Sequence, residues 1–195
     1  MHYSEISENQ ARIFIDATQL YDAYREAYRN AFVYRGGMHW KKAKGKEYLF
    51  RSRGGYGSGK SLGPRSPETE IIYQKFHQHA AAAKERFKSI KGKILEQARY
   101  CKAAKINRVP AIVTRILHEL DQRKLLGDHI MVLGTNALYA YEAAAGVRFD
   151  SDLIATMDVD LRWDVRSKLM LAIKEDGDPG DFIDVLRKAD KTFQL

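Results

Sequence analysis

One cysteine, Cys101, stands in a chain of 195 residues. A lone thiol excludes an intramolecular disulfide and a cysteine-rich metal site, and its apolar helical position assigns it to packing. No apolar run approaches the roughly 18 residues needed to cross a bilayer. The N-terminus, Met1-His2-Tyr3-Ser4-Glu5, carries neither the basic nor the apolar segment of a secretory signal, so a cytoplasmic location is expected. The chain is not short of core material: 45% of it is hydrophobic, 30% charged and 11% aromatic, which excludes wholesale disorder. Its length suits one generous domain or two small ones.

Acidic residues are scarce in the first half. Residues 1–108 hold 22 Lys/Arg against 10 Asp/Glu, and residues 109–195 hold 11 against 15, so the net +8 divides into +12 and −4. Such asymmetry points to a basic half that meets a polyanion and an acidic half suited to holding a cation. We therefore expect a helical region over 1–108, bearing a basic arm at about 35–65, and a second domain over 109–195.

Ser7 and Gln10 are spaced as a capping box, and Phe14, Ala17, Tyr21, Tyr24 and Tyr28 then recur at helical intervals. A stripe of this kind is read as core in preference to a base-stacking platform. Between Arg35 and Arg65, glycines punctuate short segments that predict a β-hairpin or an irregular glycine-rich arm. The arm holds nine cations (Arg35, Lys41, Lys42, Lys44, Lys46, Arg51, Arg53, Lys60 and Arg65) and one acid, Glu47. Trp40, Tyr48, Phe50 and Tyr56 are interleaved with them, as on a phosphate-tracking, base-stacking surface.

Within the arm, Gly54-Gly55-Tyr56-Gly57-Ser58-Gly59-Lys60-Ser61 satisfies the formal pattern of a nucleotide-binding P-loop. Its context argues against one. A P-loop follows a buried strand and opens a helix at its lysine, whereas here Phe50-Arg51-Ser52-Arg53 precedes and Leu62-Gly63-Pro64 follows. Ser66, Pro67, Glu68 and Glu70 then mark a helix start, and apolar spacing from Ile72 to Cys101 predicts one long helix to about Lys105, with a bend at Gly92.

Pro110 opens the next helix, with Val113, Ile116, Leu117 and Leu120 on one face and Gly127 as its expected C-cap. His129-Ile130-Met131-Val132-Leu133 reads as a short strand that runs into Gly134-Thr135-Asn136, after which a helical pattern resumes. A strand, a Gly-Thr turn and a helix start bring amides, a hydroxyl and a positive dipole end together, which suits an anion. Downstream, Asp158 and Asp160 alternate with Val159 and Leu161, so an extended strand projects both carboxylates to one side. Side-by-side carboxylates repel, and a divalent cation removes that repulsion; Mg²⁺ favours oxygen ligands and leaves positions open for phosphate oxygens.

Leu133-Gly134-Thr135-Asn136-Ala137-Leu138 followed by Asp158-Val159-Asp160-Leu161 resembles the strand–turn–helix and D-x-D signature of the DNA polymerase β-like nucleotidyltransferase superfamily. The longer run from Gly134 to Glu142, with Ala155-Thr156-Met157 and Trp163-Asp164, is similar to a bacterial family assigned that fold, as is the arm around Lys60–Pro67. The resemblance implies that Gly134 and Thr135, with Asn136 beside them, hold the triphosphate of an NTP, and that Asp158 and Asp160 are catalytic and bind Mg²⁺, up to two ions. The gap of 24 residues from Gly134 to Asp158 exceeds that of minimal members and implies an inserted loop around Val147–Leu153. Superfamily enzymes generally add a third carboxylate from a later strand. Here Asp164, Asp178, Asp181 and Asp184 follow, none in an apolar strand, so the catalytic sheet is expected to be incomplete at Leu195.

The expected fold is α+β: a helical N-terminal region with a glycine-rich basic β-arm, then a small nucleotidyltransferase-like mixed sheet flanked by helices. Two functions follow as expectations. One is Mg²⁺-dependent transfer of NMP from an NTP to an acceptor hydroxyl. The other is a non-catalytic protein of that fold, binding RNA, DNA or a protein partner through Lys41, Lys42, Lys44, Lys46, Arg51, Arg53, Lys60 and Arg65.

Overall fold

The computed structural model describes residues 2–52, 59–106, 108–127, 129–154, 158–164 and 182–193. Its contacts divide the chain into two compact units, Asp16–Arg99 in one and Met1–Ile15 with Tyr100–Leu195 in the other. The fold is α+β, as expected.

After β1 (Tyr3–Glu5), helix α1 (Glu8–Val33) opens on the expected capping box. Ser7 N donates to Gln10 Oε1 at 3.0 Å, and Gln10 N donates to Ser7 Oγ at 3.3 Å. In the Asp16–Arg99 unit the tyrosine stripe is core. Tyr24 is buried, with its ring 6.0 Å from Tyr21 and 5.5 Å from Phe87 of α2 (Pro67–Ala103); Tyr28 lies 5.7 Å from the same phenylalanine. Helix α2 starts where Ser66 caps it, Thr69 N donating to Ser66 Oγ at 3.3 Å, and it runs as one helix through Gly92. Burial raises the pKa of the Cys101 thiol, near the end of α2, in keeping with packing and not reactivity.

The glycine-rich arm is a three-stranded antiparallel sheet in the order β2 (Gly37–Ala43), β3 (Lys46–Ser52), β4 (Gly59–Pro64). Lys44 and Gly45, at φ 50° and 74°, join β2 to β3 with the positive dihedrals that a two-residue hairpin of right-handed twist requires. One face packs on α2: Met38 and Leu49 are buried, Trp40 lies 5.7 Å from Tyr73, and the Arg51 guanidinium sits 4.6 Å over the Phe76 ring. Residues 53–58, which include Arg53, Tyr56 and most of the P-loop-like run, lie outside the described residues. Lys60 pairs with Arg51 and Ser61 with Phe50 in the β-ladder. A strand thus occupies the position where a P-loop needs a helix start.

In the other unit, α3 (Ala111–Gln122) buries Val113, Ile116 and Leu120. It ends earlier than its expected cap at Gly127: Arg123 is the capping residue, Lys124 takes the left-handed conformation at φ 55°, and Gly127 N instead donates to Ile130 O at 2.8 Å. Leu120, Leu125 and Ile130 form the centre of the core with Val185 and Ala189 of α6 (Phe182–Ala189), and Val159 and Leu161 pack against it. Strand β5 (Ile130–Val132) pairs antiparallel with β7 (Leu161–Trp163). The expected inserted loop around Val147–Leu153 contains structure: β6 (Val147–Phe149) pairs antiparallel with β1, Tyr3 facing Phe149, and α5 (Ser151–Ile154) follows. A three-residue strand has no alternation to read, and it forms here because the chain's first residues supply its partner. Among the described residues no helix is long and apolar enough to cross a membrane.

Candidate active site

The apolar strand β5 delivers Leu133, in extended conformation at φ −121°, as the residue preceding α4 (Gly134–Ala145). Helix α4 begins at Gly134 itself, at φ 62°. Its first-turn N–H groups have no intrahelical acceptors and stand at the positive end of the dipole. The Asp158–Asp160 segment, which leads into β7, is fastened to this turn at both ends. Leu133 N donates to Asp160 O at 2.9 Å, and the Asn136 side-chain amide donates to Asp158 O at 2.5 Å. Val159 packs against the core while Asp158 and Asp160 are exposed; the two carboxylates lie just before β7 and not within it, since the expected strand is paired only over Leu161–Trp163.

Gly134 shows how close the two elements are. A Cβ built there would lie 2.0 Å from Asp160 Oδ2. Any side chain at 134 would have to push the Asp160 carboxylate aside, and φ 62° separately disfavours a residue other than glycine. Gly134→Ala should therefore lower unfolding free energy by about 1–2 kcal/mol from the left-handed conformation alone, with a further loss from displacing Asp160. Denaturant titration measures this; a variant as stable as the parent would mean that the turn relaxes freely.

Thr135 is half-buried at the head of α4. Asn136 is only 5% exposed, and its hydrogen bond to the Asp158 carbonyl makes it a strut between helix and carboxylate segment instead of a residue reaching outward; its Oδ1 is buried with no hydrogen-bond partner. Of the later carboxylates, Asp164 follows β7 with its N–H on His129 O at 2.9 Å, and Asp184 lies in the first turn of α6 near Arg187. Asp178 and Asp181, like Ala155–Met157, lie outside the described residues. Among the described residues no group of three or more His, Cys, Asp or Glu could hold a metal ion by itself. Two exposed carboxylates beside an anion-receptive turn nevertheless fit Mg²⁺, which is commonly bound through one or two carboxylates with substrate phosphates completing its shell.

Sequence reasoning missed a buried ion pair in the same unit. Arg108 Nη1 lies 2.5 Å from Glu142 Oε1 and donates to Phe149 O at 2.9 Å, while Phe149 N donates to the same Glu142 oxygen at 2.7 Å. Glu142 sits in an otherwise apolar helical run, Ala137 to Ala145, and that mismatch was the available signal.

The arm's cations separate into two kinds. Lys41, Lys42, Lys44, Lys46 and Lys60 are exposed. Arg51 donates to the carbonyls of Val33 at 2.9 Å, Arg35 at 3.0 Å and Gly37 at 3.2 Å. Arg65 pairs with Glu47 at 2.5 Å and Glu70 at 2.6 Å and lies 4.9 Å over the Trp40 ring, and its hydrogen bond holds the Glu47 carboxyl below its ordinary pKa. Both arginines thus brace the arm, whereas the five lysines make no such contact among the described residues.

Residues 111–195 match the model of a protein family described as nucleotidyltransferase. The match spans α3 to α6 and takes in Gly134, Thr135, Asn136, Asp158 and Asp160; it does not extend to the arm. No curated protein and no solved structure matches the chain.

Proposed function

We propose that the nucleotidyltransferase segment, residues 111–195, transfers a nucleoside monophosphate from a nucleoside triphosphate to an acceptor hydroxyl with Mg²⁺ as cofactor. The observation that carries this reading is the fastening of the Asp158–Asp160 segment to the head of α4 through Leu133 and Asn136. In this reading the backbone N–H groups at Gly134 and Thr135 receive the phosphate tail, and the absent Cβ at Gly134 is what lets the Asp160 carboxylate come up against that turn. Asp158 and Asp160 hold the cation through their carboxylate oxygens. When bound, Mg²⁺ supplies neutralisation of charge on the phosphate oxygens. The Asn136 side-chain amide serves in this reading as a positioning group that fixes the Asp158 backbone.

The acceptor oxygen forms its bond to the α-phosphorus in line with the departing pyrophosphate, and the hydroxyl proton passes to water. Little covalent work falls to the protein. Orientation and fixed charge at the turn lower the barrier.

The test is incubation of the full chain with each α-labelled NTP, Mg²⁺ and a panel of acceptors comprising protein, tRNA, DNA ends and small hydroxyl compounds. Label should enter an acceptor with Mg²⁺ present and remain in the NTP when the metal is chelated. A folded sample that neither binds nor transfers any of the nucleotides would end this reading.

A further inference from the structure

We infer that the open face of the β2–β3–β4 sheet is a binding site for single-stranded nucleic acid. This site is independent of the one proposed for transfer, and strand alternation defines it. Trp40, Leu49 and Arg51 project towards α2, as their contacts with Tyr73 and Phe76 and the burial of Leu49 require. The register pairs His39 with Phe50, Lys41 with Tyr48 and Ala43 with Lys46, so these six residues occupy the opposite face.

On that face the Phe50 ring is held in place from several sides. His39 lies 5.7 Å from it, centroid to centroid, and Lys41 Nζ lies 5.5 Å from its centre. The ring also leans across Gly59 on β4, where a Cβ would fall 2.0 Å from Phe50 Cε1, so it lies along the sheet and not upright from it. A ring lying along a sheet turns one π-face away from it, and the Lys41 ammonium stands over the ring; a base stacks there as the flexible lysine swings to the adjoining phosphate.

The charge of the face selects a polyanion. Lys41 and Lys46 stand on it and Lys44 at its turn, all exposed. The one acid among the arm's described residues, Glu47, pairs across the strands with Lys42, on the α2 side, where Arg65 engages it. Aromatic rings interleaved with lysines on an open sheet match unstacked bases joined by phosphates. A duplex would offer the same phosphates but keep its bases from the rings.

The experiment is fluorescence anisotropy of the full chain with labelled oligo(dT) and oligo(U) of about 20 nucleotides, long enough for a site of this kind, and with a duplex of equal length. Neither NTP nor Mg²⁺ is present, so failure here leaves the transfer reading intact, and the converse also holds. Single strands should bind at least about tenfold tighter than duplex, with affinity falling as salt rises. Lys41→Glu should weaken binding about tenfold or more, and Phe50→Leu by about fivefold or more. His39→Ala, at an exposed position, tests the same stacking should Phe50→Leu not fold. Lys84→Glu makes an equal charge change on α2 and should leave affinity within about twofold. Equal binding of duplex and single strand would overturn the proposal. So would equal losses in Lys41→Glu and Lys84→Glu, or no binding by folded protein at low salt. Preferential capture by anionic lipid vesicles over oligonucleotide would reassign the face to a membrane surface.

Discussion

Asp158→Ala and Asp160→Ala should each lower nucleotide transfer by on the order of 10³-fold, the scale on which one contact to developing transition-state charge acts. Both side chains are exposed, so their removal disturbs little apolar packing, and the stability change should stay within the roughly 1 kcal/mol that one exposed polar contact contributes. The fastening to α4 survives because Leu133 and Asn136 bond to the backbone carbonyls of Asp160 and Asp158 and not to the carboxylates. Loss of rate with retained fold would then report charge chemistry directly. Initial rates with saturating NTP and Mg²⁺, alongside denaturant titrations, make the measurement. Wild-type rates in both variants would remove these carboxylates from the mechanism.

The same geometry predicts coupling. In Gly134→Ala the new methyl meets the Asp160 carboxylate, and that conflict disappears once Asp160 is alanine. The double variant should therefore be more stable than the sum of the two single effects implies, retaining only the penalty of the left-handed backbone. A strictly additive result would mean that turn and carboxylate do not meet.

Much of this arrangement was readable from local pattern. The Ser7–Gln10 box, the Ser66-Pro67 start and the apolar face of α3 each follow from spacings of three or four residues, and each is present, as is the inward Val159 between two exposed carboxylates. What escaped depends on partners distant in the chain. Strands β1 and β6 are three residues each and exist through their pairing with one another. The bond from the Asn136 side chain to a carbonyl 22 residues away has no local signal in the sequence. The arm's cations were countable, whereas assigning Arg51 and Arg65 to bracing needed the register that turns them towards α2 and Glu47.

The Arg108–Glu142 pair is the other place where a large effect is expected, in this case on stability. Both side chains are nearly buried, at 13% and 10% exposure, and the Glu142 carboxylate accepts from Arg108 and from Phe149 N at one oxygen. Arg108→Ala leaves that carboxylate without its counter-charge in a poorly solvated place, which should lower unfolding free energy by about 3–5 kcal/mol. Against a typical total of roughly 5–15 kcal/mol, the variant would be close to unfolding. The pair also holds both backbone polar groups of Phe149, the end of β6 that faces Tyr3, so the β1–β6 ladder should loosen first. Amide exchange across β1 and β6, compared with that of β5, would show it. Replacing both partners, Arg108→Met with Glu142→Met, removes the charges together and should recover most of the loss, because the penalty lies in the unpaired charge more than in the missing attraction. Helix α4 carries Glu142 near one end and Gly134 at the other, so a destabilised pair that leaves transfer unchanged would mean that the head of α4 is fixed by β5 and the Asp158–Asp160 segment alone. A parallel fall in transfer, restored in the double variant, would instead make the buried pair a support of the site at the other end of α4.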